Sequence, residues 1–119
     1  MKKTGLIMGL FFFTIAMSAQ EKNAKVQIEV DGICGMCKQR IEKAALTTKG
    51  VKYASWSVET HQLSLIIDER KTTLKTIQEN VAAVGHDTKE VESSVEAYNN
   101  LHPCCKYKDD VIIKKHKDE

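Results

Sequence analysis

The stretch that decides the fold is Ile28-Glu29-Val30-Asp31-Gly32-Ile33-Cys34-Gly35-Met36-Cys37-Lys38-Gln39-Arg40-Ile41-Glu42-Lys43-Ala44, where the hydrophobic period changes from that of a strand to that of a helix across two cysteines. Upstream, Val26, Ile28 and Val30 alternate with polar residues over 25–30, the pattern of a half-buried strand, and Asp31-Gly32 stops it. Downstream, Cys37, Ile41, Ala44 or Ala45 and Thr48 share one helical face, Lys38, Arg40 and Lys43 lie largely off it, and Gly50 marks a stop. The cysteine loop therefore opens a helix.

Further out, Ala54, Trp56 and Val58 alternate, as do Leu63, Leu65 and Ile67, and the short polar link 59–62 reads as a hairpin joining antiparallel strands. Thr72 or Thr73 can cap a second helix in which Leu74, Ile77, Val81 and Val84 recur, ending at Gly85. A short strand over 88–91 is expected to close the domain. The order predicts an α+β fold, a ferredoxin-like βαββαβ sandwich with an antiparallel sheet and two helices on one face. This domain is expected over 24–92. Residues 93–119 read as a polar tail with one helical turn over 95–101, capped by Ser93 or Ser94, before His102-Pro103-Cys104-Cys105. No internal repeat is seen.

At 119 residues the chain has room for one compact domain plus tails. Residues 1–19 read as a signal peptide, with Lys2 and Lys3 as the basic start, an apolar stretch over 5–17, and Ser18-Ala19 at the cut. That stretch falls short of the roughly 20 apolar residues a bilayer span needs. Cleavage after Ala19 would leave a periplasmic or secreted chain with no stable membrane span. It would also remove Lys2 and Lys3 from the 18 basic residues, matching them to the 16 acidic ones. A formally neutral chain without an Arg-rich or aromatic-interleaved patch gives no sign of nucleic acid as partner, and none is expected.

Four cysteines in an exported chain ordinarily suggest disulfides, yet these fall as Cys34-x-x-Cys37 and the adjacent Cys104-Cys105. Each pair would close only a tiny loop and stabilise the fold little; pairing across the groups stays open. Cys-x-x-Cys by itself serves zinc sites, disulfide oxidoreductases and soft-metal carriers alike. Structural zinc usually takes two such pairs, to which a vicinal pair on a tail is a poor match. A thioredoxin-like enzyme would need a cis-proline loop, and the lone proline, Pro103, lies in the tail. A two-thiolate site suits a soft ion of low coordination, Cu(I) first, with Hg(II) or Zn(II) as alternatives. The helix N-terminus and Lys38 are expected to favour the thiolate of Cys37, so that fewer protons compete with metal.

The quoted stretch resembles the heavy-metal-associated domain, and the likeness extends over roughly 25–91, including Gly50-Val51 and Val84-Gly85-His86-Asp87. That family includes copper chaperones, N-terminal modules of copper ATPases and the periplasmic mercury-binding protein. The resemblance implies metal binding and handover by ligand exchange, without catalysis, to a metal-transporting ATPase or other metal-handling protein.

Two departures stand out. Gly32-Ile33 replaces the family's Met-Thr before the first cysteine, and Ile33 is expected to take over the burial that Met supplies. His86 stands where the family more often has an aromatic residue or lysine, and reads as a third ligand, a tuner of thiol protonation, or a surface histidine after a helix stop. His102, Cys104 and Cys105 are candidates for an accessory site. Met36 is read as a non-ligand pointing outward, and His61 and His116 as solvated. Lys38, Arg40 and Lys43 read as a solvated face able to dock an acidic partner.

The main reading is an exported Cu(I) binder that uses Cys34 and Cys37 to buffer the ion or pass it on. Its rivals are an Hg(II) scavenger, a thiol-disulfide redox protein cycling Cys34 and Cys37, and a plain interaction module.

Overall fold

In the computed structural model, which describes residues 20–117, β1 (Ala24–Glu29) leads through the cysteine loop into α1 (Gly35–Leu46). The hairpin β2 (Val51–Trp56) and β3 (Gln62–Ile67) follows, then α2 (Leu74–Ala83). The signal segment expected over 1–19 lies outside the described residues. No helix among the described residues is long and apolar enough to cross a membrane.

The sheet runs β1-β3-β2, antiparallel throughout, with β3 in the middle. Its register sets Ile28 and Trp56 on either side of Leu63, so the alternating residues Leu63, Leu65 and Ile67 are buried on one face. Ile41 and Ala45 of α1 and Ile77 and Val81 of α2 cover that face in one continuous core. Burying each such Leu or Ile contributes roughly 1.5–3 kcal/mol. The helical and strand periods read from the sequence are the faces that pack, except at their ends, where Val58 lies beyond β2 and Leu74 opens α2 and both are exposed.

Local chemistry ends the elements. Of the two candidate caps of α2 it is Thr73 whose hydroxyl accepts from the Thr76 N–H. At the other end the Gly85 N–H reaches the Ala82 carbonyl and the His86 N–H that of Val81, the Schellman pattern, with Gly85 at φ 105°.

The fourth strand expected over 88–91 does not form; it is reduced to a single bridge between Val30 and Thr88. Side chains take the backbone groups that a ladder would have used. The Gln78 side-chain oxygen accepts from the Thr88 hydroxyl and the Glu90 N–H, and the Asp87 carboxylate accepts from both the N–H and hydroxyl of Ser93. Such local bonds compete with extended pairing and fold the segment into turns.

The tail is more than a polar appendage. The helical turn expected there is α3 (Val95–Asn99), capped by Ser94, and it is followed by a 3-10 turn (Pro103–Cys105) and α4 (Asp110–Lys117). Leu101, Cys105 and Tyr107 join the same core as the sheet. Gly85 permits the approach, for a Cβ there would lie 2.8 Å from both the Ala97 carbonyl oxygen and the Leu101 side chain.

Candidate metal centre

Two residues separate Cys34 from Cys37, and the start of α1 turns their sulfurs to 3.4 Å from one another. Cys34 is the N-cap residue, with extended backbone, and Cys37 sits one turn in on the buried face. Under the loop lies Trp56. Its indole N–H donates to the Val30 carbonyl at 2.9 Å, and its ring fills the space where a Cβ on Gly32 would fall, 2.9 Å away. The burial expected of Ile33 is therefore supplied by Trp56, with Ile33 only half-buried against the core.

The tail brings its own cysteines to this loop. Cys34 Sγ lies 3.3 Å from Cys105 Sγ and 4.0 Å from Cys104 Sγ, and the sulfurs of Cys34, Cys104 and Cys105 form a group able to hold a metal ion. All four cysteines are free thiols. A vicinal pair is a poor match to structural-zinc spacing, but the fold-back of the 3-10 turn brings both of its sulfurs to the loop. His102 stands at the rim, its Nδ1 3.1 Å from Cys104 Sγ. Met36 is exposed, as expected, yet its sulfur lies 3.3 Å from Cys104 Sγ, beside the donors.

The thiols are not equivalent. Burial works to raise the Cys34 thiol, but the Cys37 N–H, the thiols of Cys105 and Cys37 and the Met36 N–H outweigh it and hold it below the usual value. Burial dominates at Cys37 and leaves it raised. This corrects the expectation that the helix N-terminus favours Cys37: the free N–H groups of the first turn point at the N-cap sulfur. Lys38 does not assist either, since its ammonium binds Glu42 and the Trp56 carbonyl.

In the tail, burial first and the neighbouring Cys105 thiol next push Cys104 up to about 11. Burial, with the thiols of Cys37 and Cys34, pushes Cys105 up to about 12, although the Arg40 side chain draws it partly back. The half-exposed Cys34 is thus the sulfur that most readily gives up its proton to an arriving cation, and the others follow as the cation replaces their protons.

His86 is fully buried, which overturns its reading as a surface histidine. Its Nδ1–H donates to the Asp31 carbonyl at 2.8 Å, tying the helix stop to the start of the metal loop, and its ring stacks on Tyr107 at 5.5 Å. Its Nε2 is buried without a hydrogen-bond partner among the described residues. Burial, above all, lowers its pKa to about 4, so the ring is neutral. The sulfurs around Cys34 come from Cys37, Cys104 and Cys105, and His86 braces the loop from behind.

Two other histidines also have partners where solvation was expected. His61 takes φ 59° in the hairpin and stacks on Trp56 at 5.6 Å, and His116 Nε2–H donates to the Cys104 carbonyl at 3.1 Å. Of the basic residues on α1 only Lys43 is exposed, because Arg40 is half-buried beside the tail. Nothing in the spacing of the sequence signals the tail's return. The one hint is compositional, a pair of thiols and a histidine next to the lone proline.

The heavy-metal-associated domain matches residues 27–87 of this chain. A zinc-transporting ATPase of Synechocystis sp. is 40% identical over 70 residues, which are 58% of this chain and 10% of that protein. The chain thus spans about a tenth of the length of this relative. Among solved structures, a CopZ metallochaperone is 27% identical with a TM-score of 0.53, over 55% of this chain and 98% of its own. Oxidized MerP from Ralstonia metallidurans CH34 is 25% identical with a TM-score of 0.54, over 56% of this chain and 94% of its own.

Proposed function

The chain belongs to the heavy-metal-associated domain family, and from that premise we propose that it is an exported carrier of a soft metal ion, Cu(I) first, held by Cys34 and Cys37. It is a binding protein without catalysis; metal is its cargo. The observation that carries the reading is the convergence on Cys34 Sγ of three further sulfurs, at 3.4, 3.3 and 4.0 Å. Metal–sulfur bonds of about 2.3 Å place the sulfurs of a trigonal or tetrahedral site roughly 3.8–4.0 Å apart, so the sulfurs of Cys34, Cys104 and Cys105 need move by less than about 1 Å to share an ion. A donor set of sulfur alone selects thiophilic ions.

Uptake starts at the Cys34 thiolate, and exchange of one thiolate for another lets the ion move on without ever being free in water. The likeness to a metallochaperone and to a stretch of a metal-transporting ATPase supports an ATPase or another metal-handling protein as the recipient. The zinc-transporting ATPase supports Zn(II) as a competing cargo, and the family's periplasmic mercury-binding protein supports Hg(II). Export rests on the sequence pattern of residues 1–19, and places the carrier in the periplasm or outside the cell.

Anaerobic titration of the reduced chain, residues 20–119, with Cu(I), Hg(II) and Zn(II) against a competing chelator tests this reading. Cu(I) should bind more tightly than Zn(II), and Cys34→Ser with Cys37→Ser should abolish tight binding. Unchanged affinity in that double variant would overturn the assignment. Cell fractionation and the N-terminal sequence of the mature protein test export.

A further inference from the structure

The tail is held against the metal loop by contacts that have nothing to do with metal. Tyr107 donates its hydroxyl to the Gly85 carbonyl at 2.9 Å and accepts from the Asp87 N–H at 3.0 Å. Lys108 pairs with the Asp87 carboxylate at 2.8 Å. Leu101 and Ala97 lie where a side chain on Gly85 would have stood. These anchors fall on both sides of Pro103–Cys105, so the short turn carrying the thiols is clamped at each end.

What the clamp presents is specific. Cys105 is fully buried, with its sulfur 3.3 Å from Cys34 Sγ, whereas Cys104 is half-exposed at 4.0 Å. The two sulfurs of the vicinal pair lie 3.9 Å apart and are both free thiols, close to the spacing of two ligands on one ion. Met36 and His102 flank Cys104 on the outer side, so the open side of the Cys34 loop is covered by the chain itself. A thiolate from another protein would have to approach from that side.

We propose that the segment 102–107 is a cap that completes the coordination of the ion in cis. Cys104 and Cys105 join the Cys34 and Cys37 sulfurs around it, and the ion passes to a partner only when this segment lifts from the loop. The proposal rests on the carrier reading above and sharpens it. A bare two-thiolate loop exchanges its ion readily, because an incoming thiolate can add to it. A capped loop retains the ion, because the chain's own thiols already occupy the positions that an incoming ligand needs. The cargo is then an ion that accepts three or four thiolates, and the chain is a store with a releasable lid.

The test uses the reduced chain, residues 20–119, loaded anaerobically with one equivalent of Cu(I). X-ray absorption reads the number of sulfur ligands, and a chromogenic chelator reads the rate of release. Wild type should show three or more sulfurs. Cys104→Ser with Cys105→Ser should show two and release at least about tenfold faster. Because Cys105 is buried, Cys104→Ser alone and Tyr107→Phe are run beside it, with circular dichroism to verify the fold. Tyr107→Phe keeps every thiol, so it should speed release without changing the sulfur count.

Equal sulfur counts and equal release rates in wild type and the Cys104/Cys105 variants would overturn the cap while leaving the carrier reading intact. Tight Cu(I) binding that survives Cys34→Ser with Cys37→Ser would instead overturn the carrier reading itself.

Discussion

Cys34 and Cys37 meet across three residues at the start of one helix, whereas Cys104 and Cys105 reach the same place across 70 and 71 residues of sequence. The first pair is positioned by helix geometry: an N-cap and the residue three further on must project to one side whatever the rest of the chain does. The second pair is positioned by docking, through Leu101 against Gly85, Tyr107 against Gly85 and Asp87, and Lys108 against Asp87. A pair held locally persists as long as its helix does. A pair held by docking can be detached while the fold survives, and so can serve as a movable part.

That contrast can be broken at several points. The largest effect is expected for Cys34→Ser with Cys37→Ser, which should weaken Cu(I) binding by at least about a thousandfold, or roughly 4 kcal/mol, in a chelator competition. If the tail pair alone sustained binding at the original strength, the locally held pair would lose its primacy.

Gly85→Ala acts on the docked side. It forces a side chain into φ 105° and against the Ala97 carbonyl and Leu101, and should cost about 3 kcal/mol in denaturant unfolding. Cys105 should at the same time become reactive to a thiol-labelling reagent, while Cys34 keeps its reactivity.

Acid should act on the brace between the two regions. His86 has its pKa lowered to about 4, chiefly by burial, from an ordinary 6.5. Below pH 6.5 the unfolded chain therefore takes up a proton that the folded chain refuses until about pH 4. Stability present above pH 6.5 is lost as the pH falls through that window, by up to about 3 kcal/mol. Urea midpoints measured from pH 7 to 4 should show this slope, and His86→Phe should flatten it.

The smallest effect belongs to Tyr107→Phe. It keeps the ring in the core and deletes two hydrogen bonds, for about 1 kcal/mol in global stability but a visible gain in hydrogen exchange at Asp87 and along 102–107. Loss of protection spread evenly over the sheet would mean that the tail is no separate unit.

Much of the centre was legible because its signals are local. The strand ending at Asp31-Gly32, the helix face Cys37, Ile41, Ala44 and Ala45, and the capping of α2 by Thr73 each depend on residues within a turn or two of one another. The fourth strand was misjudged because Asp87, Thr88 and Gln78 satisfy the backbone through side chains, a choice that period-two alternation does not register. Trp56 falls in the alternation of its strand and is buried in the core. That its indole fills the space above Gly32 follows only from the pairing of Trp56 with Leu63 across the hairpin.

By itself, then, the sequence determined the order β1-α1-β2-β3-α2 and the cysteine pair that opens α1, because periodicity, caps and stops are written in neighbouring residues. Only the tertiary structure decided that Cys34 rather than Cys37 is the more acidic thiol, that His86 is buried under Tyr107, and that Cys104 and Cys105 come to the loop. Each of these depends on which surfaces, distant along the chain, exclude water together, and burial of that kind leaves no local pattern to read.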